Sequence, residues 1–319
     1  MSGNAPPVVS VLISAYNVTQ YIDEALDSVL AQTFDKPYEV IVVNDGCPDT
    51  VDLERALKPY QQHILYLKQP NGGPSSARNT AVAAARAPLV ALLDADDVWL
   101  PEYLSEQVGR LWSDPTLDLI YPNMEIFGSA GAPGKLTMDL SPSKGEVSFD
   151  SLLSQTCTVM NCPTLKRDVI LRAGMWDPNL RHSEDFDLWL RIAHQGGRMV
   201  YTRKPLARLR LRPGSLSWDS VKMYDGQRYV YEKVLRDLTL TQTQRALVQA
   251  ELSKARARRT FELGKRAFFA SDYVAARRLL AEANSVLRSP KTSFLISALR
   301  VAPGLLHGLA RLRKPIFRT

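Results

Sequence analysis

Two acidic segments of this 319-residue sequence carry residue types and spacings that could do chemistry. In the first, Asp94 and Asp96 are separated by Ala95 and follow an apolar run at 89–93. Because alternate side chains of an extended chain point the same way, both carboxylates are predicted to face one side. Two hard oxygen ligands suit Mg²⁺ or Mn²⁺, which in proteins usually also bind phosphate oxygens. The segment therefore predicts a metal site for a diphosphate, with a helix-capping acidic turn as the alternative.

The second acidic segment, Glu184-Asp185, lies at the predicted start of a helix. Ser183 is placed to cap this helix, which would end at Gly196-Gly197. The predicted buried face consists of Phe186, Trp189, Leu190 and Ala193. The helix dipole would lower the pKa of a carboxyl group in the first turn, and an ionised carboxylate can act as a general base. The alternative is that the two acidic residues only complement the dipole.

The first 100 residues alternate between strand and helix patterns, and these elements would position the carboxylates. Short β-branched runs bounded by turn residues predict buried strands at 8–13, 40–43, 64–67 and 89–93. Helical patterns lie between strands, at 19–33 and 75–86. In the first of these, the apolar residues that share one face are Ile22, Ala25, Leu26, Val29 and Leu30. Such alternation predicts an α/β fold with a mostly parallel sheet flanked by helices, whose ligands bind at the carboxyl ends of the strands.

Composition and missing motifs exclude several classes of protein. The sequence is 23% charged and 45% hydrophobic, which excludes a disordered chain, a collagen-like chain and a disulfide-rich scaffold. Its three cysteines, Cys47, Cys157 and Cys162, are expected to be reduced. Neither a G-x-G-x-x-G motif after the first strand nor a P-loop occurs, which argues against both kinds of nucleotide site. With no apolar run of about 18 residues and no signal-peptide pattern, the chain is predicted to be cytoplasmic.

Four polar motifs follow one another along the predicted sheet. They are the segments 9–17 (VSVLISAYN), 39–46 (EVIVVNDG), 71–79 (NGGPSSARN) and 93–97 (LDADD). Together, and over about residues 8–220, they resemble family 2 glycosyltransferases. The resemblance implies a GT-A-like fold, a UDP-, GDP- or dTDP-sugar as donor, and a divalent metal, Mn²⁺ or Mg²⁺, as cofactor. It also implies inverting transfer of one sugar to a hydroxyl of a glycan or lipid-linked acceptor, in cell-surface polysaccharide biosynthesis.

Position within these motifs implies roles for individual residues. The nucleoside base would be surrounded by Ala15, Tyr16 and Asp45. Arg78 would lie near the base or the diphosphate. By the same resemblance, Asp94 would meet the ribose or the donor sugar, and Asp96 would bind the metal. Cys47 stands where the family often has serine, and little consequence is expected.

The Glu-Asp segment also resembles the family, because the stretch 171–177 (LRAGMWD) precedes it. The resemblance implies that Asp185 deprotonates the acceptor hydroxyl and that Glu184 binds or orients the acceptor. His182 is predicted to contact the acceptor or to lie on the surface. Trp218 could stack on a sugar, with a core or rim position as the alternative.

Arg212 departs from the family pattern, since that position often holds a histidine that completes the metal site. Arginine cannot ligate a metal in proteins, but it can neutralise a diphosphate. The metal site would then rest on Asp96, phosphate and water, or bind metal weakly. This departure keeps open an alternative function, a sugar-nucleotide-binding protein with little or no transfer activity that acts through its C-terminal tail. A nucleotidyltransferase is disfavoured, because the expected Gly-rich basic loop after the first strand is absent.

The C-terminal tail differs from the rest of the chain in charge. Residues 245–319 carry a net charge of +12 and residues 1–244 one of −5. The segment 260–283 is similar to a tetratricopeptide-like helical hairpin, and 294–314 is predicted to form two short basic helices broken at Pro303-Gly304. Such helices could lie on an anionic membrane surface or pack on the catalytic body, whereas nucleic acid is not expected because aromatic residues are few. The predicted domains are 1–240, the transferase domain, and 241–319, a basic helical extension.

Overall fold

The computed structural model describes residues 5–129, 134–141, 143–160, 162–215, 218–301 and 303–304. The chain divides into two units, Met1–Ser215 and Leu216–Thr319. The first unit contains the sheet and the second is helical. The predicted boundary at 240/241, between transferase domain and extension, stays a prediction.

Among the described residues, the sheet of the first unit has eight strands. They are β1 (Val9–Ala15), β2 (Tyr38–Asp45), β3 (Ile64–Gln69), β4 (Leu89–Asp94), β5 (Val98–Trp99), β6 (Leu119–Phe127), β7 (Thr164–Lys166) and β8 (Met199–Arg210). Their order across the sheet is β3-β2-β1-β4-β7-β6-β8-β5. The pairs β1–β2, β1–β4, β2–β3 and β6–β8 are parallel, whereas β4–β7, β6–β7 and β5–β8 are antiparallel. The predicted α/β fold with a mostly parallel sheet is confirmed.

Helices flank this sheet. They are α1 (Ile22–Leu30), α2 (Thr50–Leu57), α3 (Pro74–Ala84), α4 (Tyr103–Ser113), α5 (Thr137–Leu140), α6 (Phe149–Leu153), α7 (Arg167–Arg172) and α8 (Glu184–His194), with a 3₁₀ turn at Lys58–Tyr60. The buried residues of α1 are Ile22, Ala25, Leu26 and Val29. They are the face that the 3.6-residue spacing predicts, except that Leu30 is only half-buried.

The central strands are covered on both faces, which explains their nearly continuous apolar sequence. Val11 and Leu12 point to opposite faces of β1, yet only 0% and 3% of them is exposed. Burial on both faces is typical of parallel strands. In the register of the sheet, Ser14 lies beside Val43 of β2 and beside Asp94 of β4. The carboxyl ends of these three strands therefore form one edge, where the predicted site residues lie.

The second unit consists of four helices among its described residues. They are α9 (Ser220–Asp237), α10 (Gln242–Phe269), α11 (Tyr273–Leu287) and α12 (Pro290–Val301). Thr241 caps α10, since its hydroxyl accepts a hydrogen bond from the backbone N–H of Gln244 at 3.2 Å. The helices α10 and α11 form a hairpin in which they approach closely at Gly264, because a Cβ there would lie 2.9 Å from Cγ of Leu280.

The last part of the tail is described only in part. The first of the two predicted short basic helices corresponds to α12. The second falls in 305–314, outside the described residues. Across the portion of the chain that the structure describes, no helix combines the length and apolar character needed to cross a membrane.

Candidate functional site

Arg78 brings the two acidic segments of the sequence together. Its side chain, early in α3, is 8% exposed. Nη1 donates to Oε1 of Glu184 at 2.6 Å and to Oδ1 of Asp185 at 3.2 Å. Nη2 donates to Oδ1 of Asp94 at 3.1 Å. The carboxyl end of β4 and the start of α8 therefore face each other across one guanidinium group.

Burial is the largest influence on the ionisation of the two carboxyl groups at the start of α8. It raises the pKa of Glu184 to about 7, and the charge of Asp185 acts in the same direction against Arg78. Burial also raises the pKa of Asp185 above its usual value, although Arg78 opposes this. The prediction that the first turn of α8 lowers these pKa values is wrong, because loss of water on burial disfavours the charged form of both carboxyl groups. The three carboxylates in turn raise the pKa of Arg78 against the effect of its burial.

Asp185 has a second donor besides Arg78. Nε1 of Trp176 donates to its Oδ1 at 2.6 Å. Trp176 is itself 1% exposed and is held by Asn79 of α3, whose amide donates to the backbone O at 2.8 Å and accepts from the backbone N–H at 3.0 Å. Trp176 and Asn79 are not among the predicted site residues. The stretch 171–177, which precedes the acidic pair, is the signal that could have identified the tryptophan.

The start and the buried face of α8 differ from the prediction. Ser183 occupies the N-cap position with a φ of 61°, in the left-handed region rather than the β-region that suits a capping serine. The buried residues of the helix are Glu184, Asp187, Leu188, Trp189, Leu190 and Ile192. Phe186 and Ala193, which were predicted to be buried, are only half-buried. The buried face therefore includes acidic positions, which apolar periodicity cannot indicate.

A second cluster joins Asp96 to Arg212. Nε of Arg212 donates to Oδ2 of Asp96 at 2.6 Å, and the two side chains are 12% and 17% exposed. The Arg212 guanidinium also lies over the ring of Tyr21, 5.1 Å from its centroid. Burial and the charge of Asp94 raise the pKa of Asp96, whereas Arg212 lowers it. Arg212 is thus held as a cation beside the predicted metal ligand.

The residues around Asp96 fit only one kind of metal site. In the described ranges, no group of three or more His, Cys, Asp or Glu side chains could hold a metal ion. Mg²⁺ in proteins commonly needs one or two carboxylates and takes its other ligands from substrate phosphates and water. Asp96 therefore fits a metal that arrives with a diphosphate, rather than one held by protein ligands alone.

Asp45 organises the loop that precedes α3. The residue is 3% exposed, and its carboxylate accepts four hydrogen bonds. Oδ1 accepts from Nε2 of Gln69 at 2.7 Å and from the backbone N–H of Gly72 at 2.8 Å. Oδ2 accepts from Nδ2 of Asn71 at 3.1 Å and from the backbone N–H of Gly73 at 2.8 Å. Contact of this carboxylate with a nucleoside base stays a prediction.

The other residues of the predicted base site, Ala15 and Tyr16, lie where β1 ends and its following loop begins. Ala15 is buried at the end of β1, and Tyr16 beside it is 48% exposed. The thiol of Cys47 accepts from the backbone N–H of Asn17 at 3.0 Å and donates to Oδ1 of Asp49 at 2.8 Å. It therefore links the loops after β1 and β2 in the way that a serine hydroxyl could. Stacking of Tyr16 on a base stays a prediction.

The remaining predicted residues are less informative. His182 is half-buried and lies two residues before α8 begins. Trp218 belongs to the second unit, where it is 48% exposed. The acceptor contacts proposed for both stay predictions. One ion-pair cluster of the first unit consists of Arg78, Asp94, Glu184 and Asp185. Another consists of Asp96 and Arg212.

The sequence and the fold of the chain are similar to those of known proteins. Residues 10–165 match the profile of the family described as Glycosyl transferase family 2. The chain contains a family 2 glycosyltransferase domain. Asp45, Arg78, Asp94 and Asp96 lie within the matched segment, whereas Asp185 follows it. The resemblance seen in the four sequence motifs is thereby confirmed.

Named relatives share this domain. Over 191 residues, the chain is 32% identical to an uncharacterized glycosyltransferase of Rickettsia prowazekii. The aligned segment covers 58% of this chain and 58% of the relative. Over 236 residues, it is 28% identical to a Bacillus subtilis protein named as a teichuronic acid biosynthesis glycosyltransferase, TuaG, covering 73% and 90% of the two chains. The chain thus matches 58% of the length of the rickettsial relative.

Solved structures show the same fold around the family 2 domain. The crystal structure of S. aureus TarS 1-349 in complex with UDP superposes with a TM-score of 0.61 at 18% identity, covering 97% of this chain and 93% of TarS 1-349. The mannosyltransferase PcManGT from Pyrobaculum calidifontis, in complex with GDP-Man and Mn²⁺, gives 0.60 at 18% identity, covering 98% and 90%. These similarities show a GT-A type fold, as predicted.

Proposed function

We propose that this chain is an inverting glycosyltransferase that moves one sugar from a nucleoside-diphosphate donor to a hydroxyl of a glycan or lipid-linked acceptor. The observation that carries the proposal is the linkage of Asp185 to Asp94 through Arg78. It supports a site in which a base and a donor-binding carboxylate lie on two sides of one guanidinium. The ligands of TarS and PcManGT support a UDP- or GDP-sugar donor, and TuaG supports cell-surface polysaccharide biosynthesis.

Asp185 is the base in this proposal. It takes the proton of the acceptor hydroxyl while the hydroxyl oxygen forms a bond to the anomeric carbon of the donor. The bond from that carbon to the diphosphate oxygen breaks on the opposite side, so that the configuration inverts and the nucleoside diphosphate leaves with the electron pair. Arg78 and Trp176 stabilise Asp185 as the carboxylate that this step needs. Arg212 can neutralise charge that develops on the departing diphosphate.

A divalent metal, Mn²⁺ or Mg²⁺, completes the donor side of the proposed site. Asp96 would hold it together with phosphate oxygens and water. The bound metal would supply further charge neutralisation at the diphosphate. The Mn²⁺ and GDP-Man in the PcManGT structure support this assignment.

The first test is thermal unfolding of the chain with UDP-, GDP- and dTDP-sugars, each with and without Mn²⁺. A donor that binds only the folded chain adds about 2.7 kcal/mol of stability at 100 times its Kd. The donor so identified is then used in a transfer assay, with a membrane extract as the source of acceptor. Release of the nucleoside diphosphate that depends on the extract reports transfer.

The second test replaces the base. Asp185→Asn should lower transfer by about 10²- to 10⁴-fold and leave donor binding in place, because it removes proton transfer only. Asp168→Asn is the matched control, since Asp168 is an exposed aspartate of α7 that pairs with Arg172. The control should keep the wild-type rate. A full rate in Asp185→Asn would remove Asp185 from the mechanism.

A second candidate function is a sugar-nucleotide-binding protein without efficient transfer. The pairing of Asp96 with Arg212 favours it, because that aspartate is already neutralised by a side chain. In the same assays, this function would give donor binding by the wild-type chain but no release of nucleoside diphosphate. The presence of both Asp96 and Asp185 argues for the transferase.

We also propose that the helical unit attaches to an anionic membrane surface, with the chain in the cytoplasm at the inner face of the membrane. In α12, Phe294 and Val301 are 74% and 86% exposed, and their seven-residue spacing puts them on one face. Lys291 and Arg300 of the same helix are also exposed. An apolar face with basic neighbours is typical of helices that lie in the headgroup region.

Vesicle binding tests this attachment. The chain should sediment with vesicles that contain phosphatidylglycerol and not with pure phosphatidylcholine. The double variant Phe294→Ser and Val301→Ser should bind at least about tenfold more weakly, because burying one such side chain is worth about 1.5–3 kcal/mol. Val51→Ser removes a similarly exposed residue (70%) from the first unit and should bind as the wild type does. Equal binding to both vesicle types would contradict the proposal.

A further inference from the structure

The Arg78 guanidinium pairs with three carboxylates, whereas a structural ion pair needs only one. It donates to Asp94 at the end of β4, and to Glu184 and Asp185 at the start of α8. One cation thus faces three carboxylates from two elements that are far apart in the sequence. Its side chain is only 8% exposed, so water screens these interactions weakly.

The position of Arg78 determines what surrounds the base. Asp185 is approached by the guanidinium from α3 and by the Trp176 indole from the loop before α8. The negative charges that face it are those of Glu184 and Asp94. Asp185 therefore accepts hydrogen bonds from one positively charged donor, the Arg78 guanidinium, and from one neutral donor, the Trp176 indole.

We propose that Arg78 is a positioning residue for the base, which keeps Asp185 in the carboxylate form and holds it in a fixed place beside Asp94. This inference rests on the proposed role of Asp185 as the base. A carboxylate beside an opposite charge within about 4–6 Å typically has its pKa lowered by about 1–3 units. Without the guanidinium, burial and the two neighbouring carboxylates would favour the protonated acid. A protonated Asp185 cannot accept the proton of the acceptor.

The Trp176 indole provides a direct readout of this role. Its N–H donates to Oδ1 of Asp185, so its ¹H–¹⁵N resonance should move when Asp185 takes up a proton. The chain has five tryptophans, and the resonance is identified by its absence from Trp176→Phe. A pH titration of this resonance in the full chain needs neither donor nor acceptor. Its result is therefore separate from any result on sugar transfer.

The variant Arg78→Met removes the charge and keeps much of the side-chain length. Its Trp176 titration midpoint should lie about 1–3 pH units above that of the wild type. Arg78→Lys keeps the charge, and its midpoint should move by less than that of Arg78→Met. An unchanged midpoint in folded Arg78→Met would overturn the proposal. If, in addition, UDP binds Arg78→Met more weakly than it binds the wild type, Arg78 acts at the diphosphate instead.

A double variant covers the case in which Arg78→Met does not fold. Arg78→Met with Glu184→Gln removes one negative charge together with the positive one, and is compared with Glu184→Gln alone. The midpoint should again be higher in the variant that lacks the guanidinium. Once a donor is known, the pH at which transfer reaches half of its maximum should move in the same direction, with donor affinity preserved. A merely structural role would lower the rate at every pH without moving that midpoint.

Discussion

Removing Arg212 should strengthen the binding of metal at Asp96. The guanidinium occupies Oδ2 of Asp96 at 2.6 Å, with both side chains largely buried, and a metal must displace it or share the carboxylate with it. A hydrogen bond to a charged partner contributes about 1.5–3 kcal/mol net. Because 1.4 kcal/mol corresponds to a factor of ten, Arg212→Ala should bind Mn²⁺ about 10- to 100-fold more tightly than the wild type in the absence of nucleotide.

Free Mn²⁺, measured by electron paramagnetic resonance during titration of the full chain, gives the dissociation constants directly. Arg212→His should bind at least as tightly as Arg212→Ala, since imidazole is a metal ligand whereas arginine is not. The control is Asp96→Asn in the Arg212→Ala background, which should lose the gain. Equal Mn²⁺ affinity in the wild type and Arg212→Ala would refute the argument that Arg212 competes with metal. A gain that survives Asp96→Asn would place the metal elsewhere.

Three further predictions concern pH and packing. Because folding raises the pKa of Glu184 from its ordinary 4.5 to about 7, the folded chain binds more protons than the unfolded chain between these values. Stability should therefore fall as pH rises from about 4.5 to about 7, and urea unfolding of Glu184→Gln should show a flatter dependence. Cys47→Ser should unfold within about 1 kcal/mol of the wild type in urea, whereas Cys47→Ala, which loses both hydrogen bonds of the thiol, should lose more than the serine variant. Gly264→Ala should be destabilised by about 1–3 kcal/mol in thermal unfolding, because its Cβ would lie 2.9 Å from Cγ of Leu280, while Gly109→Ala, in open space on α4, should gain about 1 kcal/mol.

Much of the fold could be predicted from the sequence because the signals are local. The strands β1 to β4 are short apolar runs bounded by turn residues, and α1 buries the face that its spacing predicts. Helix α8 shows the limit of this approach, because its buried face includes Glu184 and Asp187. The burial of acidic side chains cannot be predicted from the periodic spacing of apolar residues. They are buried because a basic side chain neutralises each of them, Arg78 of α3 for Glu184 and Arg191 of α8 itself for Asp187.

The sequence by itself determined which residue types could do chemistry. It also placed Asp45 and Asp94 at one edge of the sheet, since parallel strands with short loops must present their carboxyl ends together. Only the tertiary structure decided how they are paired. Arg78 contacts Asp185 across 107 positions of sequence, and Arg212 contacts Asp96 across 116. It also decided their ionisation, because burial raises the pKa of Asp185, the reverse of the direction expected for the first turn of a helix. Charge interactions and desolvation depend on distances through space and on access to water, and neither is written in local sequence patterns.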